Sequence, residues 1–198
     1  MSSEVTNSRG HALALPNLLT YGRIAAVPAL VGTFYLDGHI ANWLALAIFL
    51  AASVTDFLDG YLARAWQQQS ALGRMLDPIA DKLLVAAALL MLAAAGTIGG
   101  WSLIAAIIIL SREVLVSGLR EFLAGLRVSV PVTQLAKWKT TLQMAAIGFL
   151  LAGPAGDQIF FGTTFVGLSL LWLSAVITLY TGWDYFQAGI RHAIEEES

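Results

Sequence analysis

The sequence has no cysteine, three histidines and only 12% charged residues among its 198. Without cysteine there can be no disulfide and no thiolate metal site. So little charge excludes an ordinary water-soluble domain, in which about 25% of residues are charged. Hydrophobic residues make up 58%, more apolar surface than a single core could hide from water. Lipid must therefore be the solvent for much of the chain. A net charge of −2 offers nothing to attract a nucleic acid. The opening stretch, MSSEVTNSRGHALAL, lacks an apolar core followed by a cleavage signal, so a tail is expected there rather than a signal peptide. Neither an internal repeat nor a separate soluble domain is visible.

What the chain does have is apolar runs of membrane-crossing length, separated by short polar or glycine-rich breaks. Spans are expected near 20–36, 41–64, 71–95, 101–126, 135–153 and 159–186. The breaks at Asp37-Gly38, Gly96 to Gly100 and Gly153 to Gln158 contain no Lys or Arg. All eleven basic residues (Arg9, Arg23, Arg64, Arg74, Lys82, Arg112, Arg120, Arg127, Lys137, Lys139 and Arg191) fall in or near the opposite set of ends. The positive-inside bias then puts both termini and the 65–70 and 127–134 loops in the cytoplasm. Trp43, Trp66, Trp101, Trp138 and Trp183 stand near span ends, as interfacial anchors do. The expected organisation is a cytoplasmic tail over 1–15, a six-span all-α domain over 16–190 and an acidic cytoplasmic tail over 191–198.

Charges inside such spans are costly and point to function. Asp56, Asp59, Gly60, Ala63 and Arg64 share one helix face, and Gly73, Asp77 and Asp81 share a face of the next helix. Folding the two helices as an antiparallel hairpin about Gln68 brings the four carboxylates to matching depths, given a rise of about 1.5 Å per residue. Four clustered carboxylates repel one another unless a cation neutralises them. Oxygen ligands favour Mg²⁺, Ca²⁺ or Mn²⁺ over zinc or copper, and a pair of Mg²⁺ or Mn²⁺ ions suits displacement at phosphorus. Gly60, Ala63 and Gly73 remove bulk beside such a site, although small residues on membrane helices also serve simply for close packing. Arg64 is placed to clamp phosphate oxygens. The competing structural reading pairs an intramembrane aspartate with a basic residue, with Arg64, Arg74 and Lys82 nearest at hand.

The segment DFLDGYLARAWQQQSALGRMLDPIAD reads D-x2-D-G-x2-A-R-x8-G-x3-D-x3-D without a gap. Eight specified residues would match by chance on the order of 10⁻⁹ per starting point. This resembles the signature of the CDP-alcohol phosphatidyltransferases. The resemblance implies transfer of a phosphatidyl group from a CDP-linked lipid to an alcohol, with release of CMP, in a homodimeric six-span membrane enzyme. It assigns Asp56, Asp59 and Asp77 to metal, and Asp81 to metal and to the role of base. It also places the donor, CDP-diacylglycerol, against Gly60, Ala63, Arg64 and Gly73, with Ser70 as a diphosphate or nucleotide contact.

PNLLTYGR, SREVLVSGLRE and KWKTTLQM look like segments of the bacterial phosphatidylglycerophosphate synthases, which implies sn-glycerol 3-phosphate as acceptor. The residues suit a phosphorylated acceptor. Arg112 and Arg120 share a face of one helix, while Lys137 and Thr141 stand one turn apart on the next, with Lys139 close by; a dianionic phosphate needs such cations. Alternatively, Arg112 pairs with Glu113 or an aspartate, and Lys137 and Lys139 face lipid headgroups. Pro16 suits a first helical position, and Asn17 and Thr20 in that turn are expected at the donor lipid or as caps. His11, His39 and His192 are scattered and receive no role. Two rival functions stand beside this one. A sister enzyme of the family would use serine, inositol phosphate or phosphatidylglycerol as acceptor, whereas a divalent-cation transporter would show repeat symmetry and broken helices at the bilayer midplane.

Overall fold

The computed structural model describes residues 15–66, 71–125 and 134–196, with side chains described for most positions outside 15–17, 57–66, 71–74, 124, 136–137, 184–186 and 188–196. All regular structure among them is α-helical. The order is α1 (Leu15–Thr33), α2 (His39–Trp66), α3 (Ala71–Ala94), α4 (Ser102–Gly125), α5 (Gln134–Ile159) and α6 (Thr163–Glu196). The chain divides into two compact units, residues 1–91 and 92–198.

Three of these helices are long and apolar enough to cross a membrane: α2 over His39–Asp56, α4 over Ser102–Leu123 and α6 over Thr163–Trp183, with a shorter apolar stretch over Leu18–Thr33 in α1. Large apolar side chains such as Leu50, Val54, Ile107, Val114 and Val176 are exposed along them. In water that would cost roughly 1.5–3 kcal/mol for each side chain left unburied, and in lipid it costs nothing. The chain is a membrane protein.

In the first unit α1 packs on α2. Leu30 of α1, Phe49 and Ala52 of α2, and Ala80, Leu84 and Ala88 of α3 are buried, the last three recurring every fourth residue on one helical face. The Thr33 hydroxyl donates to the Leu30 carbonyl at 2.6 Å where α1 ends, and Gly38 takes φ 83° before α2 begins. In the second unit α6 packs on both α4 and α5. Small residues set the approach: a methyl group at Gly167 would stand 2.8 Å from Leu150 Cγ, so only glycine lets α6 lie this close to α5. The buried face of α4 is Ala105, Ile109, Val116 and Leu123.

Helix ends depart from the sequence reading at the second unit. A break was expected from Gly153 to Gln158, and the chain does leave helical geometry at Gly153 (φ 40°, ψ −127°), a conformation that glycine alone adopts cheaply. Pro154, with no N–H to satisfy, then starts a further helical turn, and the connection to α6 falls later, at 160–162. Asp157 stabilises it by accepting from the Thr164 N–H at 3.0 Å and the Thr164 hydroxyl at 2.6 Å. These bonds hold its carboxyl below the usual value. The span expected from 159 therefore begins at Thr163. At the other end, α6 runs to Glu196, so most of the stretch expected as an acidic tail over 191–198 is helical. The tail over 1–14 and the loops over 67–70 and 126–133 lie outside the described residues.

Candidate active site

The carboxylates on α2 and α3 are held from α1. The Thr20 hydroxyl donates to Asp77 Oδ1 at 2.5 Å, and Arg23 Nη1 stands 2.7 Å from Asp56 Oδ1. Thr20 and Arg23 are three residues apart, so they share a face of α1 one turn apart. Both are buried, Thr20 at 2% exposure and the Arg23 side chain at 0%, whereas the Asp56 side chain is 45% exposed. The helix thus places a buried hydroxyl against Asp77 and a buried guanidinium against the half-exposed Asp56. Asp56 also feels the negative charge of Asp81 and, more weakly, of Asp77. Asp81 has no hydrogen-bond or ion-pair partner among the described residues.

The counterion of Asp56 is a residue that the sequence reading did not name. Arg64, Arg74 and Lys82 are the basic residues nearest in sequence, yet Asp56 pairs with Arg23 from another helix. Lys82 instead donates to the Pro78 carbonyl at 3.0 Å. The signal was available: Arg23 is a charge inside an apolar stretch, which demands a partner. Asp59, Gly60, Ala63 and Arg64 lie on α2 and Gly73 on α3, but their side-chain surroundings are outside the described residues, as is the whole of Ser70. Asn17 lies in the first turn of α1 under the same restriction, while the hydroxyl of Thr20, expected at the donor, donates its hydrogen bond to Asp77.

In the second unit, Glu113 of α4 is the centre of a charged cluster. Lys139 of α5 donates to its Oε1, and Arg112 Nη1 stands 3.8 Å from the same oxygen. Arg112 also donates from Nη2 to Thr181 Oγ1 of α6 at 3.4 Å. Two cations around one carboxylate leave a net positive charge in largely buried surroundings, which is chemistry for an anion. Lys139 is 3% exposed, so it is not directed at lipid headgroups; it pairs with Glu113, for which the sequence had suggested Arg112. Arg120 and Thr141 are exposed on α4 and α5, and the Lys137 side chain is not described. Sequence reasoning missed Glu113 as a partner of Lys139, and Thr181 and Gly182 altogether. A Cβ at Gly182 would stand 3.2 Å from Arg112 Cγ, so glycine makes room for the arginine to cross α6.

The sequence profile of CDP-alcohol phosphatidyltransferase matches residues 13–180. The chain belongs to the CDP-alcohol phosphatidyltransferase family. Among its relatives is the CDP-diacylglycerol–glycerol-3-phosphate 3-phosphatidyltransferase of Rickettsia bellii, 48% identical over 174 residues that cover 88% of this chain and 94% of the relative. The protein of the same name from Cereibacter sphaeroides is 38% identical over 218 residues, covering 93% and 99%. A cardiolipin synthase (CMP-forming) from Oryza sativa is 42% identical over 185 residues, covering 85% of this chain and 55% of that one.

CDP-alcohol phosphatidyltransferases generally depend on a divalent metal. The donor set here suits one, because carboxylates from α2 and α3 offer only oxygen and stand near enough to repel each other. Among the described residues no group of three or more acidic or histidine side chains is close enough to hold an ion, with the Asp59 side chain outside that set.

Proposed function

We propose that the protein transfers the phosphatidyl group of CDP-diacylglycerol to sn-glycerol 3-phosphate, giving phosphatidylglycerophosphate and CMP. The observation that carries this reading is the likeness of nearly the whole chain to relatives bearing that name. It is supported by the gap-free aspartate signature and by a buried positive cluster suited to a phosphate.

In this reading all six helices cross the bacterial inner membrane, with the site between α2 and α3 and both termini on the cytoplasmic side. Residues 1–15 and 191–198 flank one catalytic domain over 16–190, and the protein is a homodimer. Asp56, Asp59, Asp77 and Asp81 hold two Mg²⁺ or Mn²⁺ ions. Bound there, the ions would stabilise charge that develops on the attacking and leaving oxygens. Asn17, Thr20, Gly60, Ala63, Arg64, Ser70 and Gly73 bind the donor, the small residues leaving backbone free for the nucleotide and Arg64 clamping its diphosphate. Arg112, Arg120, Lys137, Lys139 and Thr141 bind the phosphate of the acceptor.

Asp81 takes the proton of the acceptor hydroxyl. The freed oxygen forms a bond to the phosphorus bearing the diacylglycerol, and the bond from that phosphorus to CMP breaks. A base must keep an oxygen available to the proton, and Asp81, unlike Asp56 and Asp77, has no hydrogen-bond or ion-pair partner among the described residues.

The test is CMP release from CDP-diacylglycerol by purified protein with Mg²⁺ or Mn²⁺ and a panel of acceptors. Glycerol 3-phosphate is expected to outpace serine, inositol phosphate and phosphatidylglycerol. Since one relative is a cardiolipin synthase, equal or faster reaction with phosphatidylglycerol would move the protein to that branch.

A further inference from the structure

We infer that α1 is the orienting helix of the metal site, with Thr20 and Arg23 as positioning residues that each hold one oxygen of a metal-binding carboxylate and leave the other to the ion. The inference rests on the proposed ligand roles of Asp56 and Asp77 and extends them to a helix that contributes no ligand itself.

Both contacts are made to Oδ1: a hydrogen bond from the Thr20 hydroxyl to Asp77 at 2.5 Å and an ion pair between Arg23 Nη1 and Asp56 at 2.7 Å. A carboxylate on a helix can turn about its side-chain torsions, and such rotation costs affinity when an ion needs two such groups in one geometry. Each carboxylate here is anchored at one oxygen by a side chain that is itself immobilised by burial. The two anchors sit one turn apart on a single helix while their targets belong to two others. The spacing of Thr20 and Arg23 on α1 therefore sets the placement of Asp56 relative to Asp77. A hydroxyl and a guanidinium also differ in what they do. Thr20 donates a hydrogen bond without adding charge, whereas Arg23 adds a positive charge that partly neutralises Asp56 against Asp77 and Asp81. With the ion absent, that charge limits the repulsion within the site.

Groups that hydrogen-bond metal ligands typically change metal affinity 10- to 100-fold when removed. Thr20→Val keeps the shape and deletes the hydroxyl, and Thr20→Ser keeps the hydroxyl. Arg23→Lys keeps the charge but loses the flat guanidinium geometry. The experiment measures Mn²⁺ binding to the full-length protein in detergent by the electron paramagnetic resonance of free Mn²⁺, with thermal unfolding recorded with and without Mn²⁺. Thr20→Val and Arg23→Lys are expected to weaken Mn²⁺ roughly tenfold or more and to shrink the Mn²⁺-induced rise in Tm, while Thr20→Ser stays near wild type. Asp56→Asn and Asp77→Asn, measured alongside, test the ligand roles themselves. If the aspartate variants lose Mn²⁺ while Thr20→Val and Arg23→Lys bind it as wild type does, the positioning role is overturned and the ligand roles stand. An equal fall in Tm with and without Mn²⁺ at unchanged affinity also overturns it, because α1 would then act only in folding. If both aspartate variants bind Mn²⁺ normally, the ligand roles fall and the inference falls with them.

Discussion

Lys139 of α5, which is buried, and Glu113 of α4, which is partly buried, form an ion pair with Arg112 attached to its edge. Removing one partner of such a pair leaves an uncompensated charge, which costs about 3–5 kcal/mol, while replacing both by neutral groups costs far less. Lys139→Met is therefore expected to lower Tm markedly, and Lys139→Met with Glu113→Gln to recover most of the loss. The kinetics of the double variant divide structure from binding. If Lys139 holds acceptor phosphate, KM for glycerol 3-phosphate stays raised after stability is recovered; a return to the wild-type KM assigns Lys139 to the pair alone.

Arg112 crosses α6 over Gly182 and reaches Thr181. Arg112→Ala should raise KM for glycerol 3-phosphate while leaving that for CDP-diacylglycerol unchanged. Gly182→Ala puts a methyl group 3.2 Å from Arg112 Cγ, so the arginine must shift by a few tenths of an ångström. A smaller effect in the same direction, roughly three- to tenfold in acceptor KM, is expected. A rise in donor KM in either variant would move Arg112 to the other substrate.

Asp81→Asn keeps the size of the side chain and removes its basicity. Single-turnover CMP release is expected to fall by roughly 10²- to 10⁴-fold, with donor binding largely retained. Asp59→Asn should weaken metal-dependent donor binding as well as rate. Donor affinity lost equally in both variants would make Asp81 a fourth ligand and not the base.

Asp157 ties the end of α5 to the start of α6 through Thr164. Its hydrogen bonds stabilise the carboxylate, so its folded pKa lies below the ordinary 3.8. A group with a depressed folded value stabilises the protein above its unfolded pKa, and that stability is lost as pH falls through the folded value. Asp157→Ala is therefore expected to lower Tm at pH 7, with the gap from wild type narrowing only below about pH 4. Thermal unfolding in detergent across that range measures it, and a constant gap would mean that the carboxylate charge is not what matters. CMP release at pH 7 should be unchanged in this variant.

The sequence by itself determined the solvent of this protein, its helices and which of its aspartates share a helix face. Each follows from local information: apolar runs, glycine-rich breaks and aspartates spaced at three and four residues, which share a face whatever the surrounding fold. Even Gly153 announced the break in α5, although not that Pro154 would resume the helix and push the turn to 160–162. Tertiary structure alone decided the partners. Arg23 and Asp56 are thirty-three positions apart and Thr20 and Asp77 fifty-seven, so no helical periodicity links them. The bond between Lys139 and Glu113 likewise depends on which faces of α4 and α5 are buried. A charge placed in an apolar helix must find a counterpart, and the sequence states that requirement at Arg23 and Glu113. Which counterpart answers depends on how the helices pack, because burial makes the nearest group in space, not in sequence, the one that neutralises it.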